Sequence, residues 1–154
     1  MGNLDIALLE MREAHKGQTR WDGVTPYEVH PIAVVKILRD MGVTDDDMLC
    51  AGYLHDVLED TNYADYKIKD LFGNKVLKLV QELTNPKSDV GDGITDEAYW
   101  SHIEKMSIDA KIVKMADMIA NCTDKSGNAH FYMKRFHGMK IILRELISYR
   151  NAFV

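Results

Sequence analysis

Cysteine is scarce in this chain. Only Cys50 and Cys122 occur among 154 residues, far apart and in no CxxC arrangement. That excludes a disulfide framework and predicts two reduced thiols in a cytoplasmic protein. Proline is scarce too, with three residues, all in predicted loops or at predicted helix starts. No apolar run approaches the ~20 residues that a bilayer crossing needs, so no membrane partner is expected. The opening MGNLDIALLEMREAH carries acids among its apolar residues, which predicts no signal peptide. Its sixth residue is Ile rather than Ser or Thr, which predicts no myristoylation. An excess of positive charge is also missing. The net charge of −5 argues against binding to a nucleic-acid polymer. Internal repeats, low-complexity segments and convincing strand alternation are absent as well.

What remains is an ordinary globular balance, 46% hydrophobic and 28% charged, at a length that fits one domain over residues 1–154. The periodicity is helical throughout, so the fold class is all-α. Leu4, Ala7, Leu8 and Met11 mark a first helix. A loop punctuated by glycine and proline runs from His15 to Pro31. A second helix, PIAVVKILRDMG, ends at Gly42. Thr44 or Asp45 can cap a third, DDDMLCAGYLHDVLED. A short helix over 65–72 is closed by Gly73. The next, NKVLKLVQELT, has Val76, Leu79, Val80 and Leu83 on one face. After a turn-rich loop over 85–95, one long helix is expected over roughly 96–122, started by Thr95 or Asp96. A basic helix is expected over roughly 129–152, weakened by Gly138. Charge is unevenly spread: residues 101–154 hold nine Lys/Arg against five Asp/Glu (+4), and the first hundred hold ten against nineteen (−9). That asymmetry suits a cation site facing an anion-binding wall, or simply solvated helix faces.

The chemistry concentrates in three places. His55-Asp56 and Glu59-Asp60 fall at i, i+1, i+4 and i+5 of the predicted third helix, on roughly one side. Such crowding is unfavourable unless a positive charge sits among the carboxylates, and a divalent metal provides one. The plainer alternative is a polar helix end facing solvent. His30 stands at the start of the second helix, either as a ligand or as a capping residue. Asp117 lies among the apolar residues of AKIVKMADMIAN. A buried Asp needs a strong partner, either a metal or Lys114 three residues before it. Two His and two Asp form a mixed nitrogen–oxygen set that suits Mn²⁺, Fe²⁺ or Zn²⁺ better than Ca²⁺. With open positions, such a site acidifies water and polarises a phosphoryl oxygen. Glu59 and Asp60 are then close enough to orient that water or move protons.

The order His30, His55-Asp56 with Glu59-Asp60, then Asp117 with Asn121, resembles the HD superfamily of metal phosphohydrolases. More closely it resembles the alarmone hydrolase domain of the RelA/SpoT homologues. The shared stretches are AHKGQTRWDGVTPYEVHPIAVVKIL, AGYLHDVLEDT, FGNKVLKLVQELT and SIDAKIVKMADMIAN, which cover most of residues 14–122. The resemblance implies an HD-domain helical bundle holding one Mn²⁺, with Fe²⁺, Zn²⁺ or Mg²⁺ as substitutes. It implies removal of the 3′-diphosphate from ppGpp or pppGpp to give GDP or GTP plus pyrophosphate. By motif position, His30, His55, Asp56 and Asp117 hold the metal, and Glu59 and Asp60 handle the water and its protons. Arg20 and Asn121 contact the nucleotide. Lys16 and Lys114 are phosphate contacts inferred from charge and proximity.

Two positions depart from the family pattern. Trp21 stands where a Lys often follows the loop Arg, and Met118 where an Arg often follows the metal-binding Asp. Both remove positive charge from the substrate's surroundings. Lys134, Arg135, Lys140 and Arg144 of the basic tail either compensate or form a solvated face. Two other functions therefore stay open. One is an HD phosphohydrolase acting on a nucleoside mono- or triphosphate or on NADPH, with Trp21 stacking on a different base. The other is a non-catalytic sensor of metal and nucleotide.

Overall fold

In the computed structural model, residues 1–86 and 96–124 are described, together with 144, 146 and 148. Eight helical segments form the described part: α1 (Asn3–Ala14), α2 (Val29–Asp40), α3 (Asp46–Leu54), α4 (Val57–Asp60), α5 (Asp65–Phe72), α6 (Asn74–Leu83), α7 (Asp96–Glu104) and α8 (Ile108–Thr123). Among the described residues the only strand-like pairing is an isolated bridge between Thr19 and Pro26. No helix there is long and apolar enough to cross a membrane.

The centre of the fold is α3. Met48, Leu49, Cys50, Ala51, Gly52 and Leu54 are all buried, so the helix is apolar nearly all round. A helix of that kind must be surrounded, and α1, α2, α6 and α8 pack on it. Its start is the expected one: the Asp45 carboxylate accepts from the Met48 amide at 2.9 Å. The α6 stripe also matches its periodicity, with Val76, Leu79, Val80 and Leu83 buried.

Gly52 sets the spacing between α2 and α3. A Cβ there would lie 2.9 Å from Leu38 Cδ1 and 3.1 Å from Val35 Cγ2. Lacking a Cβ, Gly52 leaves room for the Leu38 and Val35 side chains of α2 to close on α3, three residues before the His55 that follows α3.

Two expected helices are each broken in two. The third predicted helix stops at Leu54, turns through His55 and Asp56, and resumes as α4. The last carbonyls of a helix lack donors from their own turn. Here His55 supplies one, its Nδ1 donating to the Gly52 carbonyl at 2.8 Å. The long helix expected over 96–122 is likewise two, α7 and α8, because Ser107 caps a new start. Its Oγ accepts from the Ala110 amide at 3.3 Å. Glu82 of α6 fixes the junction by accepting from the Ser107 amide at 2.7 Å and its hydroxyl at 2.9 Å. Most of the 85–95 loop and most of the basic helix expected over 129–152 lie outside the described residues. Of that tail, Arg144 is exposed and Leu146 packs on the core.

Candidate metal centre

Three elements deliver four side chains to one buried point. His30 comes from the first turn of α2, His55 and Asp56 from the break after α3, and Asp117 from the middle of α8. His30 Nε2 lies 3.2 Å from His55 Nε2 and 2.9 Å from Asp117 Oδ1. His55 Nε2 lies 2.9 Å from Asp56 Oδ2 and 3.4 Å from Asp117 Oδ1. Both histidines are 2% exposed. The break in the helix matters here. It lets His55 and Asp56, adjacent in sequence, both face the centre.

The donor chemistry fits a divalent cation. With Nδ1–H committed to Gly52, the neutral His55 ring presents a lone pair at Nε2. That lone pair faces a second imidazole nitrogen and two carboxylates, an arrangement that calls for positive charge. Without a metal, a proton supplies it. Burial disfavours the charged His55 ring, but Asp56 and Asp117 overcome this and hold its pKa well above the ordinary imidazole value. Burial likewise works against the Asp117 carboxylate. Lys114 and His55 outweigh it and hold Asp117 well below the usual range. A metal at this point would displace the proton.

Asp117 has a full set of partners. Lys114 Nζ donates to its Oδ2 at 2.9 Å, and Asn121 Nδ2 to its Oδ1 at 3.1 Å. The Lys114 pair and the convergence on the histidines therefore coexist. The wall continues outward through Arg20, whose Nη2 donates to Asn121 Oδ1 at 2.9 Å and whose Nε pairs with Asp124 at 2.8 Å. Arg20 is thus buried and doubly tied. Lys114 is buried as well, whereas Lys16 is exposed and does not line the cleft.

Above the centre opens a cleft of about 200 Å³, whose lining includes Arg20, Trp21, Glu59, Asp60, Met118 and Asn121. Trp21 is 63% exposed at its mouth. Its loop is firmly built: Asp22 Oδ1 accepts from the amides of Val24 and Thr25 at 2.9 and 2.8 Å, and Gly23 takes φ +72°. Glu59 and Asp60 stand at the rim, open to water on one side. Partial desolvation, then the charge of Asp56, push Glu59 up to about 7 and Asp60 up to about 6. A wider groove of about 760 Å³ shares Glu59 and Asp60 with the cleft but holds neither His30 nor His55.

Four contributors were missed in the sequence. Asn85, just past α6, donates its amide to Glu59 Oε1 at 2.7 Å. Tyr27 donates its hydroxyl to Asp56 Oδ2. His15 stacks on Tyr27, and Gln18 bonds to both His15 and the Asp60 carbonyl. None stands in a periodic pattern. The one available signal was the YxxH spacing of Tyr27 and His30.

An all-helical bundle with paired histidines and aspartates at its heart defines a class of metal-centred domain. Residues 7–124 match the HD domain family, and the chain belongs to it. Among curated proteins it is 39% identical over 114 residues to the Xenopus tropicalis guanosine-3′,5′-bis(diphosphate) 3′-pyrophosphohydrolase MESH1, covering 73% of this chain and 63% of that one. The chain thus spans somewhat less than two thirds of that relative's length. It is 47% identical over 75 residues to the bifunctional (p)ppGpp synthase/hydrolase SpoT of Escherichia coli, covering 49% of this chain and 10% of that one. A solved structure of a metazoan ortholog of SpoT, described as hydrolyzing ppGpp, superposes with a TM-score of 0.76 at 31% identity. That match covers 95% of this chain and 86% of the other.

Proposed function

We propose that this chain carries the domain of a cytoplasmic, Mn²⁺-dependent hydrolase. It removes the 3′-diphosphate of ppGpp or pppGpp and releases pyrophosphate with GDP or GTP. The convergence of His30, His55, Asp56 and Asp117 on one point beneath a cleft carries this reading. The activities named for MESH1 and SpoT support the substrate. When bound, the cation supplies charge neutralisation at the phosphoryl group and acidification of water. Fe²⁺, Zn²⁺ or Mg²⁺ are the substitutes for Mn²⁺.

The chain's own residues do the rest. Water oxygen bonds to the phosphorus attached to the ribose 3′ oxygen, and the bond from that phosphorus to the 3′ oxygen breaks. Glu59 and Asp60 face the cleft with carboxyls that exchange protons near neutrality. They are the groups to take a proton from the water and return one to the departing 3′ oxygen. Asn121 and Arg20 form the wall for the nucleoside, with Arg20 holding Asn121 in place. Lys114 steadies Asp117 and lines the cleft, where it meets phosphate charge. Lys16 would reach phosphate from outside.

A specific observation favours a second reading. Trp21 and Met118 line the cleft as uncharged residues, so a nucleotide with less charge, NADPH among them, competes with the alarmone. The deciding experiment is product analysis with purified, Mn²⁺-loaded protein on ppGpp, with a panel of other nucleotides and Asp117→Ala as control. GDP plus pyrophosphate, absent in the variant, supports the alarmone reading. Turnover of another nucleotide alone supports the second. Tight metal binding without any turnover points to a sensor.

A further inference from the structure

We propose that Tyr27 is a positioning residue that holds Asp56 in its ligating orientation and ties it to Asp60, on a mount built by His15 and Gln18. This rests on the reading that His30, His55, Asp56 and Asp117 bind a divalent cation.

Asp56 needs such a partner. It sits in the break between α3 and α4, with φ −104° and ψ −3°, so no regular helix fixes its side chain. Its Oδ2 is the oxygen facing the centre, 2.9 Å from His55 Nε2 and 3.8 Å from His30 Nε2. The Tyr27 hydroxyl donates to that same oxygen. The next acceptor within its reach is Asp60 Oδ2, at 3.4 Å. One phenolic proton thus stands between a ligand carboxylate and a rim carboxylate. A tyrosine hydroxyl keeps its proton at neutral pH, so it is the donor to these carboxylates. With one lone pair of Oδ2 engaged by Tyr27, the carboxylate is steered to present the other toward the histidines.

The ring cannot drift. His15 stacks on it at 4.4 Å between centroids with 28° between planes. The edge of His30 meets it at 6.0 Å and 69°, and the Arg20 guanidinium lies 5.3 Å from its centroid. His15 is buried, and its Nδ1 is bonded to Gln18 Oε1 at 2.8 Å. Gln18 Nε2 in turn donates to the Asp60 carbonyl at 2.9 Å. The Tyr27 amide closes the ribbon on the Gln18 carbonyl at 2.9 Å. The loop therefore grips both sides of α4, the ligand before it and the rim carboxylate at its end. Partners of metal ligands orient the ligand and raise affinity, and their loss costs about 10- to 100-fold in binding.

Tyr27→Phe is the test, because it keeps the ring stack and removes only the O–H. Mn²⁺ affinity, followed by calorimetry or by the free-Mn²⁺ resonance signal, should fall about 10-fold. Raising Mn²⁺ should restore turnover to within about threefold of wild type, with KM for the nucleotide unchanged. Wild-type Mn²⁺ affinity in Tyr27→Phe overturns the proposal. So does a rate defect that no Mn²⁺ concentration rescues. If Tyr27→Phe does not fold, the wild-type protein answers in its place. Mn²⁺ binding should perturb its near-ultraviolet tyrosine difference spectrum, and Gln18→Ala, which loosens the mount, should weaken Mn²⁺ binding. An unmoved spectrum with unchanged Gln18→Ala affinity overturns the proposal. Failure of the metal reading itself looks different: wild-type protein would bind no divalent cation at all.

Discussion

The floor of the cleft and its rim are built on different principles. On the floor, His30, His55 and Asp117 are almost fully buried and come from elements packed around the central helix α3. At the rim, Glu59, Asp60 and Trp21 are exposed and stand on a four-residue helix and a loop. The floor is over-determined. Gly52 sets the approach of two helices, its carbonyl orients one histidine, and Lys114 and Asn121 fill the remaining positions of Asp117. The rim is held by a few hydrogen bonds from loops. A buried floor fixes the class of chemistry, and an exposed rim decides what it is applied to.

The largest effects should come from breaking the floor. Asp117→Ala or His55→Ala is expected to lower kcat/KM by about 10³-fold or more, measured on the Mn²⁺-loaded protein. Retention of wild-type rates by either variant would remove the metal mechanism. Next in size is removal of the cation. With metal at about 100 times its dissociation constant, binding stabilises the fold by about 2.7 kcal/mol. A chelator should then lower the thermal midpoint by about 5–10 °C. An unchanged midpoint would mean that the four ligands are satisfied without a cation.

The rim has its own signature in the metal-free protein. Glu59 and Asp60 titrate at about 7 and about 6, above the ordinary carboxylate range. A folded-state pKa raised in this way contributes stability that is present below the ordinary value and lost as pH rises through the folded one. His55 acts with the same sign, in a window starting from the ordinary imidazole value. Asp56 and Asp117 are depressed, so their stabilisation is lost only in acid, below the ordinary carboxylate range. The thermal midpoint of chelated protein should therefore fall between about pH 5 and pH 8. Glu59→Gln, which can still accept from the Asn85 amide, should flatten part of that fall. A profile that is level across this range in the wild-type chain would contradict the raised values.

Much of the floor was legible because its residues sit in motifs. His30, His55-Asp56 and Asp117 could each be picked out one by one, and the core stripe of α6 followed from its period alone. The two helix breaks were not legible for a common reason. Apolar spacing runs on through His55-Asp56, from Leu54 to Val57 and Leu58, and through the 105–107 junction, from Ile103 and Met106 to Ala110. Periodicity reports which face is buried, not whether the hydrogen-bond ladder continues. Ser107 did carry a cap signature that outweighed the continuing period. Tyr27 was hidden differently: its partner lies 29 residues on, beyond α2 and α3, and no periodicity reveals a pairing at that separation. Arg20 was found, but not its commitment to Asp124, 104 residues on.

The smallest expected effect tests the rim where this chain departs from the family pattern. Trp21 is a large apolar side chain held in water at the mouth of the cleft, on a loop pinned by Asp22 and by the bridge of Thr19 with Pro26. Exposing it has a solvation cost, and a rigid mount limits the entropy lost when it stacks on a base. A base stacked there gains affinity from its π face, which every nucleobase has, and little from its identity. Trp21→Lys restores the cation that often follows the loop arginine and removes the stacking surface. It should raise the preference for ppGpp over a less charged nucleotide by about 3- to 10-fold in kcat/KM, or about 0.7–1.4 kcal/mol. Mn²⁺ affinity should stay unchanged, since the hydrogen bonds of the four candidate ligands run to Tyr27, Gly52, Lys114, Asn121 and one another rather than to Trp21. A change in metal binding on this substitution would erase the division between floor and rim. An unchanged preference with unchanged metal binding would leave the division intact and move substrate choice to Met118, deeper in the same wall.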